Sequence, residues 1–252
     1  MARKLIKIFI LLLVIALIAM GLIYYALFIS INQIDIRYET LSSDKIPDAM
    51  NDVKIAYFTD LEYGNFVDEQ RLDMIIDKIN YAAADVIIFG GDLFDDPGSQ
   101  LEEDDIKTIQ EKLESLDAPL GKFAVLGERD CVNETVREQV STLLEDADFE
   151  ILDNRSLHIR NGSNSGIVLI GTQPLINGSP DIDAAVSNIT NEEYNIMITH
   201  CPDLFTKDNI PFSSLSLGIA GHSHGSQINL PLFGSYNPTE GAKQYSLGKY
   251  QV

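Results

Sequence analysis

DVIIFGGDLFDD, residues 85–96, sets four apolar, mostly β-branched or aromatic residues directly before two glycines and a carboxylate. Such a run reads as a buried strand whose C-terminal tip carries Asp92. The same design recurs along the chain. VKIAYFTD (53–60) ends on Asp60, and GKFAVLGERD (121–130) ends on a polar tip with Glu128, Arg129 and Asp130. NIMITH (195–200) ends on His200, and LSLGIAGHSHG (215–225) ends on His222 and His224. The chain has four histidines and three stand at two such tips, where layered α/β folds assemble their sites.

Between these strands the apolar period changes to that of a helix. DEQRLDMIIDKINYAA (68–83) places Leu72, Ile75, Ile76 and Ile79 on one face. Ser99 with Glu102 predicts a capping box opening a helix through Ile106, Ile109, Leu113 and Leu116, with acidic residues 102–105 at the favourable end of its dipole. Asn133 is expected to cap a further helix ending near Ala147. This alternation predicts an α/β layered domain. From Phe149 strands follow more closely (FEILD, SLHIR, GIVLIGTQ, NIMITH, LSLGIAGHSHG), and the reading assigns them to a second sheet packed on the first.

Residues 8–31 (IFILLLVIALIAMGLIYYALFISI) form an apolar run with no charge between Lys7 and Asp35. That length crosses a bilayer core of about 30 Å as a helix, and it exceeds the roughly 7 to 15 apolar residues of a cleaved signal peptide. Arg3, Lys4 and Lys7 precede the run and no basic cluster follows it, which puts residues 1–7 in the cytoplasm. Residues 8–31 are then a single-pass anchor in the cell membrane, 32–52 a connector and 53–252 an extracytoplasmic domain. Beyond the span stand 15 basic against 38 acidic residues, a net −23, which excludes nucleic acid as a natural partner. Cys131 and Cys201 are too few for a disulfide framework. Each follows a site motif directly, so pairing, soft ligation or plain packing are all open to them.

Taken in order, TDLEYG (59–64), GGDLFDD (90–96), GERD (127–130), THCPD (199–203) and GHSHGSQINLP (221–231) resemble the motifs of the calcineurin-like metallophosphoesterase superfamily, in particular its bacterial membrane-anchored branch. Those motifs run D-x-H, G-D-x-x-D, G-N-H-D/E, a lone His and G-H-x-H. The resemblance covers roughly residues 50 to 240 and implies a four-layer α/β/β/α sandwich behind the N-terminal helix. It also implies two divalent metal ions (Mn, Fe, Zn or Mg), because a phosphoester is hydrolysed between two cations about 3.5 to 4 Å apart that activate water and bear developing charge. Asp92 would bridge them, Asp60 and His224 would bind the first ion, and His200 and His222 the second. Gly221 and Gly225 would allow the tight loop around the imidazoles.

Three positions depart from the pattern. The family's His of D-x-H is Glu62 and its Asn ligand is Glu128; both carboxylates can still ligate, but two ions would then face four anions. The family's catalytic His is Arg129, which cannot give up a proton but can clamp a phosphate oxygen. Arg129 and Asp130 are the candidates for catalytic contact, with a structural ion pair from Arg129 to Asp130 or Glu128 as the competing reading. Asp95 and Asp96 are not assigned as ligands. Tyr63, Gly64 and Asn65 are candidates for the mouth of the site, Tyr63 more as a packing residue, and His158 reads as an ordinary strand residue.

The expected function is metal-dependent hydrolysis of a phosphomonoester or phosphodiester at the outer membrane face, with a cell-envelope or lipid-linked substrate. The alternative is a catalytically impaired relative that binds metal or a phosphorylated ligand as a sensor or partner module. Members of the family continue past G-H-x-H with strands that close the second sheet. This chain reaches residue 252 in what reads as the start of a strand, which opens the reading of a C-terminally truncated domain with an exposed sheet edge.

Overall fold

A computed structural model of the chain describes residues 2–30, 33–64, 67–98, 100–226, 229–230, 234–235 and 239–251. The chain divides into two units, Met1–Tyr38 and Glu39–Val252.

The first unit is helix α1, Ala2–Tyr24, continued by a π-helical turn over Tyr25–Ile29. It starts earlier than the apolar run because Arg3, Lys4 and Lys7 are good helix formers that extend it by nearly two turns. Ile31, the last residue of the expected span, lies outside the described residues. Arg3–Tyr24 is long and apolar enough to cross a membrane, and its apolar side chains are exposed, the pattern of a helix whose solvent is lipid.

In the second unit, strands β1 (Ile55–Phe58), β2 (Val86–Phe89), β3 (Lys122–Ala124) and β4 (Phe149–Ile151) form one parallel sheet in chain order. Helices α2 (Glu69–Ala82), α3 (Glu103–Glu114) and α4 (Glu134–Asp146) connect them. The second sheet orders β5 (Arg155–Arg160), β6 (Gly166–Gly171), β7 (Tyr194–Thr199) and β8 (Leu217–Ala220), antiparallel at β5–β6 and parallel beyond. A one-turn helix α5 (Ile182–Ala185) and a short hairpin, β9 (Asn229–Leu230) with β10 (Gly234–Ser235), complete the elements.

One strand sits elsewhere than its sequence suggested. FEILD supplies β4, which closes the first sheet rather than opening the second. The reason is the connection: α4 returns the chain as a third parallel crossover, and Phe149 then packs into the helix-facing core.

Among α2, α3 and α4, two of the three starts follow the capping chemistry. The Asp68 and Asn133 side chains accept from the Arg71 and Val136 amides, each at 2.9 Å, and α4 ends at Ala147 as expected. Helix α3 instead has Glu102 as its cap residue, without a side-chain cap bond. Ser99 lies outside the described residues, and Glu103, Asp104 and Asp105 in the first turn supply the negative charge that this end favours.

Alternation along the strands divides the core into layers. Ile87 and Phe89 of β2 pack with Leu72, Ile109, Leu113 and Val140 of the helices. Their neighbours Val86 and Ile88 face Leu169, Ile196 and Ile198 across the two sheets. Val168, Ile170 and Met197 pack outward on Ile182, Ala185 and Leu204. The result is the four-layer sandwich, with a thin outer layer on the second sheet made of α5 and a 3-10 turn over Pro202–Thr206. The expected strand near residue 250 is absent: residues 239–251 contain none, and the Tyr245 and Tyr250 rings stack edge-on with centroids 4.8 Å apart.

Candidate metal centre

Parallel strands point their C-terminal ends one way, so the tips of β1, β2 and β3 meet those of β7 and β8. Donor atoms of Asp92, Glu128, His200 and His222 lie within 4.8 Å of one another. His200 Nε2 is 2.8 Å from Glu128 Oε2 and 3.3 Å from Asp92 Oδ2, and His222 Nδ1 is 2.8 Å from Glu128 Oε1. Asp92, His200 and His222 are almost fully buried.

Asp60, Glu62 and His224 gather beside this group. His224 Nε2 stands 3.5 Å from Asp60 Oδ1 and 3.4 Å from Glu62 Oε1, and Asp60 Oδ1 is 3.8 Å from His200 Nε2. All seven residues expected as ligands therefore converge on one place.

The backbone is forced to deliver them. Asp60 (φ 52°), Glu62 (47°), Asp92 (60°), His222 (62°) and His224 (46°) all adopt the left-handed region, which costs a non-glycine residue on the order of 1 kcal/mol or more. Hydrogen bonds hold the strained tips: the Asp60 amide donates to Gly91 O at 2.9 Å, and the Glu62 amide to Asp92 O at 3.1 Å. The His222 amide donates to both Asp60 carboxylate oxygens at 3.0 Å. Glycines are needed where tips touch. A Cβ on Gly127 would collide with the Asp92 carboxylate, and one on Gly221 with Thr59 and Asp60. Gly221 thus serves close approach, whereas Gly225 (φ 58°) serves the turn.

Each imidazole of the tighter group is fixed in orientation. His200 Nδ1 donates to Gly90 O at 2.7 Å, and His222 Nε2 donates to Glu240 O at 2.5 Å, so the opposite nitrogens face the carboxylates. Sequence carried no signal for Glu240. It is delivered by Asp203 of THCPD, whose carboxylate accepts from the Lys243, Gln244 and Tyr245 amides at 2.7 to 3.1 Å while its own amide donates to Gly241 O. Nor does the sequence signal Asn177, whose side chain donates to Glu128 O at 3.0 Å.

The donor set fits a divalent cation. His200 Nε2 and Glu128 Oε2 are buried, close to opposite charge, and still lack hydrogen-bond geometry to any partner. Buried polar atoms are rarely left so, and two imidazoles with two carboxylates suit Zn, Mn or Fe. Electrostatics agree with a cation-seeking pocket. Burial alone would lower the His200 and His222 pKa values, yet their carboxylate partners raise both, and the Glu62 contact raises that of His224. Burial pushes the Asp60 carboxyl up, and it works against Glu128 too, but the two imidazoles outweigh it and hold Glu128 well below the usual carboxylate range.

No family model matches the chain. It is 28% identical over 229 residues to the uncharacterized metallophosphoesterase YkuE of Bacillus subtilis, covering 90% of this chain and 78% of that protein. An uncharacterized metallophosphoesterase of Campylobacter jejuni matches at 27% over 81% of this chain, and a zebrafish transmembrane protein with metallophosphoesterase domain at 24% over 73%. Those two are longer, and the chain spans 53% and 43% of them. The five ordered motifs meet at one point in a four-layer sandwich, in agreement with these likenesses. In sequence, fold and site the chain is similar to the metallophosphoesterases.

Against the superfamily pattern, the catalytic candidates part ways. Asp130 is 1% exposed and accepts from the Asp92, Leu93 and Gly127 amides at 2.8, 2.9 and 2.8 Å. Its carboxylate ties the second motif to the third, which makes it a positioning residue. Burial, and next the Asp92 charge, push its pKa up to about 6. The Arg129 amide donates to Asp92 Oδ1 at 2.9 Å. Its guanidinium pairs with Glu62, Asp92 and Asp95 rather than with Asp130 or Glu128, because the GERD turn directs the long side chain back over the second motif. Asp95 thus touches the site through Arg129, in keeping with its not being assigned as a ligand.

Tyr63 packs edge-on against Phe94 with centroids 6.4 Å apart, Gly64 is described beside it, and Asn65 lies outside the described residues. His158 of β5 pairs with Glu193 at 2.6 Å, away from the site. Cys131 and Cys201 are free, buried thiols, with pKa values that burial pushes up to about 12 and about 11.

Proposed function

We propose that this chain hydrolyses a phosphomonoester or phosphodiester at the outer face of a membrane, in a metal-dependent reaction, with residues 1–7 on the cytoplasmic side. The observation that carries this reading is the closure of Asp92, Glu128, His200 and His222 within 4.8 Å at the strand tips. These four residues would hold one divalent ion, and the resemblance gives Asp60 and His224 to another, with Glu62 standing where the family has its His of D-x-H. A bound divalent ion supplies Lewis acidity and an acidified water at neutral pH.

The protein's own part is positional. The Arg129 amide, bonded to Asp92 Oδ1, turns Oδ2 toward His200. The bonds to Gly90 O and Glu240 O keep the inward imidazole nitrogens free of protons when an ion is present. The Arg129 charge, which does not titrate in this range, remains beside the place where an anionic phosphoryl group would lie.

Location supports a cell-envelope or lipid-linked substrate: Arg3–Tyr24 meets the requirements of a membrane span, and the zebrafish relative is named a transmembrane protein. The net −23 beyond the span argues against nucleic acid. A chromogenic phosphodiester assay with Mn, Fe, Zn and Mg in turn, on wild type and Asp92→Asn, tests the reading. Turnover that needs metal and disappears in Asp92→Asn supports it. Bound metal without turnover would favour a sensor or partner-binding role, for which the observation is that Arg129 stands in place of the family's histidine with its guanidinium held among three carboxylates.

A further inference from the structure

The Glu62 and Arg129 departures are joined to each other. Arg129 Nη2 lies 3.1 Å from Glu62 Oε1, Nε lies 3.6 Å from Asp92 Oδ2, and Nη1 lies 2.8 Å from Asp95 Oδ1 while also donating to the Asp95 carbonyl oxygen. In the family pattern both Glu62 and Arg129 would be histidines. Here an anion and a cation replace them together and face one another.

Of the carboxylates that Arg129 meets, Asp92 is the expected bridge, and Glu62 stands where the family has its His of D-x-H, beside Asp60 and His224 of the first ion. Glu62 Oε1 is buried and has no hydrogen bond, so what answers it is neighbouring charge, and Arg129 Nη2 is nearer than His224 Nε2 at 3.4 Å. Asp92 Oδ2 is shared, 3.3 Å from His200 Nε2 of the closed group and 3.6 Å from Arg129 Nε. Among the described residues, the donor atoms that close within 4.8 Å are those of Asp92, Glu128, His200 and His222, without Asp60, Glu62 or His224.

We propose that the Arg129 guanidinium takes the place in charge of the family's first ion, so that the site binds one divalent cation, at Asp92, Glu128, His200 and His222, beside a cation built into the chain. Asp92 keeps its bridging place, between a metal ion and a guanidinium instead of between two metal ions. Arginine suits the substitution because it stays charged at any pH of interest and its flat fork addresses several carboxylates. A second dication among the same carboxylates would be repelled by it at short range. Asp95 holds Nη1 with both its side chain and its carbonyl.

This inference rests on the ion-binding reading above, and the test separates the two. The full chain in detergent is loaded with Mn(II), freed of excess, and its manganese counted by atomic emission while electron paramagnetic resonance distinguishes isolated from exchange-coupled ions. Wild type and Arg129→Lys are expected to hold one isolated ion each, and Arg129→Asn two coupled ions, with thermal unfolding confirming that each variant is folded. Two ions in wild type, or one in folded Arg129→Asn, overturn the inference and leave the metal site standing. If Arg129→Asn does not fold, the wild-type and Arg129→Lys counts decide, and two ions in either overturn it. No bound manganese in wild type removes the ion site and this inference with it.

Discussion

His200 Nδ1 lies 2.7 Å from the carbonyl oxygen of Gly90, a bond from the tip of β7 to the tip of β2 that aims the opposite nitrogen at Asp92 and Glu128. Because the acceptor is backbone, the orientation survives side-chain changes elsewhere, and His200 itself is the vulnerable member. His200→Gln should weaken Mn(II) binding by at least the roughly 100-fold that loss of an outer-sphere partner can cost, as read by titration calorimetry. Unchanged affinity would place the ion elsewhere.

Gly127 has the Asp92 carboxylate where its Cβ would be. Gly127→Ala should cost about 1–3 kcal/mol of stability, the usual range for overpacking, and weaken metal binding in the same step. Urea unfolding with and without Mn(II) reads both effects.

Asp130 receives three backbone amides in a buried place. Asp130→Ala leaves those donors without an acceptor, at roughly 1–3 kcal/mol for each buried group left unpaired, so a loss on the order of 3 kcal/mol is expected in urea unfolding. A variant as stable as wild type but inactive would instead make Asp130 a substrate contact.

The inward imidazoles hold protons more tightly than free histidine does, His200 and His222 through their carboxylate partners against the effect of burial. A metal ion must displace those protons, so affinity should rise with pH from 6 upward and binding should release protons. The metal-free fold has the opposite sign: its contribution from these raised pKa values is present at low pH and fades as pH climbs past them. Calorimetry in buffers of different ionisation heat counts the released protons, and a count near zero would contradict the assignment.

Much of this was legible because strands and ligands share one grammar. The runs ending in Asp60, Asp92, Glu128, His200 and His222 are apolar on both faces where sheets are buried, and their tips are polar, so local sequence located the elements and the ligands together. FEILD joins the first sheet and not the second because a short apolar strand does not state its partner; that is decided by the crossover of α4. Arg129 found Glu62 and Asp95 because a turn aims its side chain, and nothing in GERD alone foretells that direction. Glu240 offers a carbonyl, which any residue could supply, and only the Asp203 bonds bring it into reach.

Anomalous diffraction from crystals of the full chain grown with Mn(II) would test the account most directly. A peak is expected between Asp92, Glu128, His200 and His222, within bonding distance of their nitrogen and oxygen donors. A manganese peak away from those four side chains, or none at saturating metal, would contradict it.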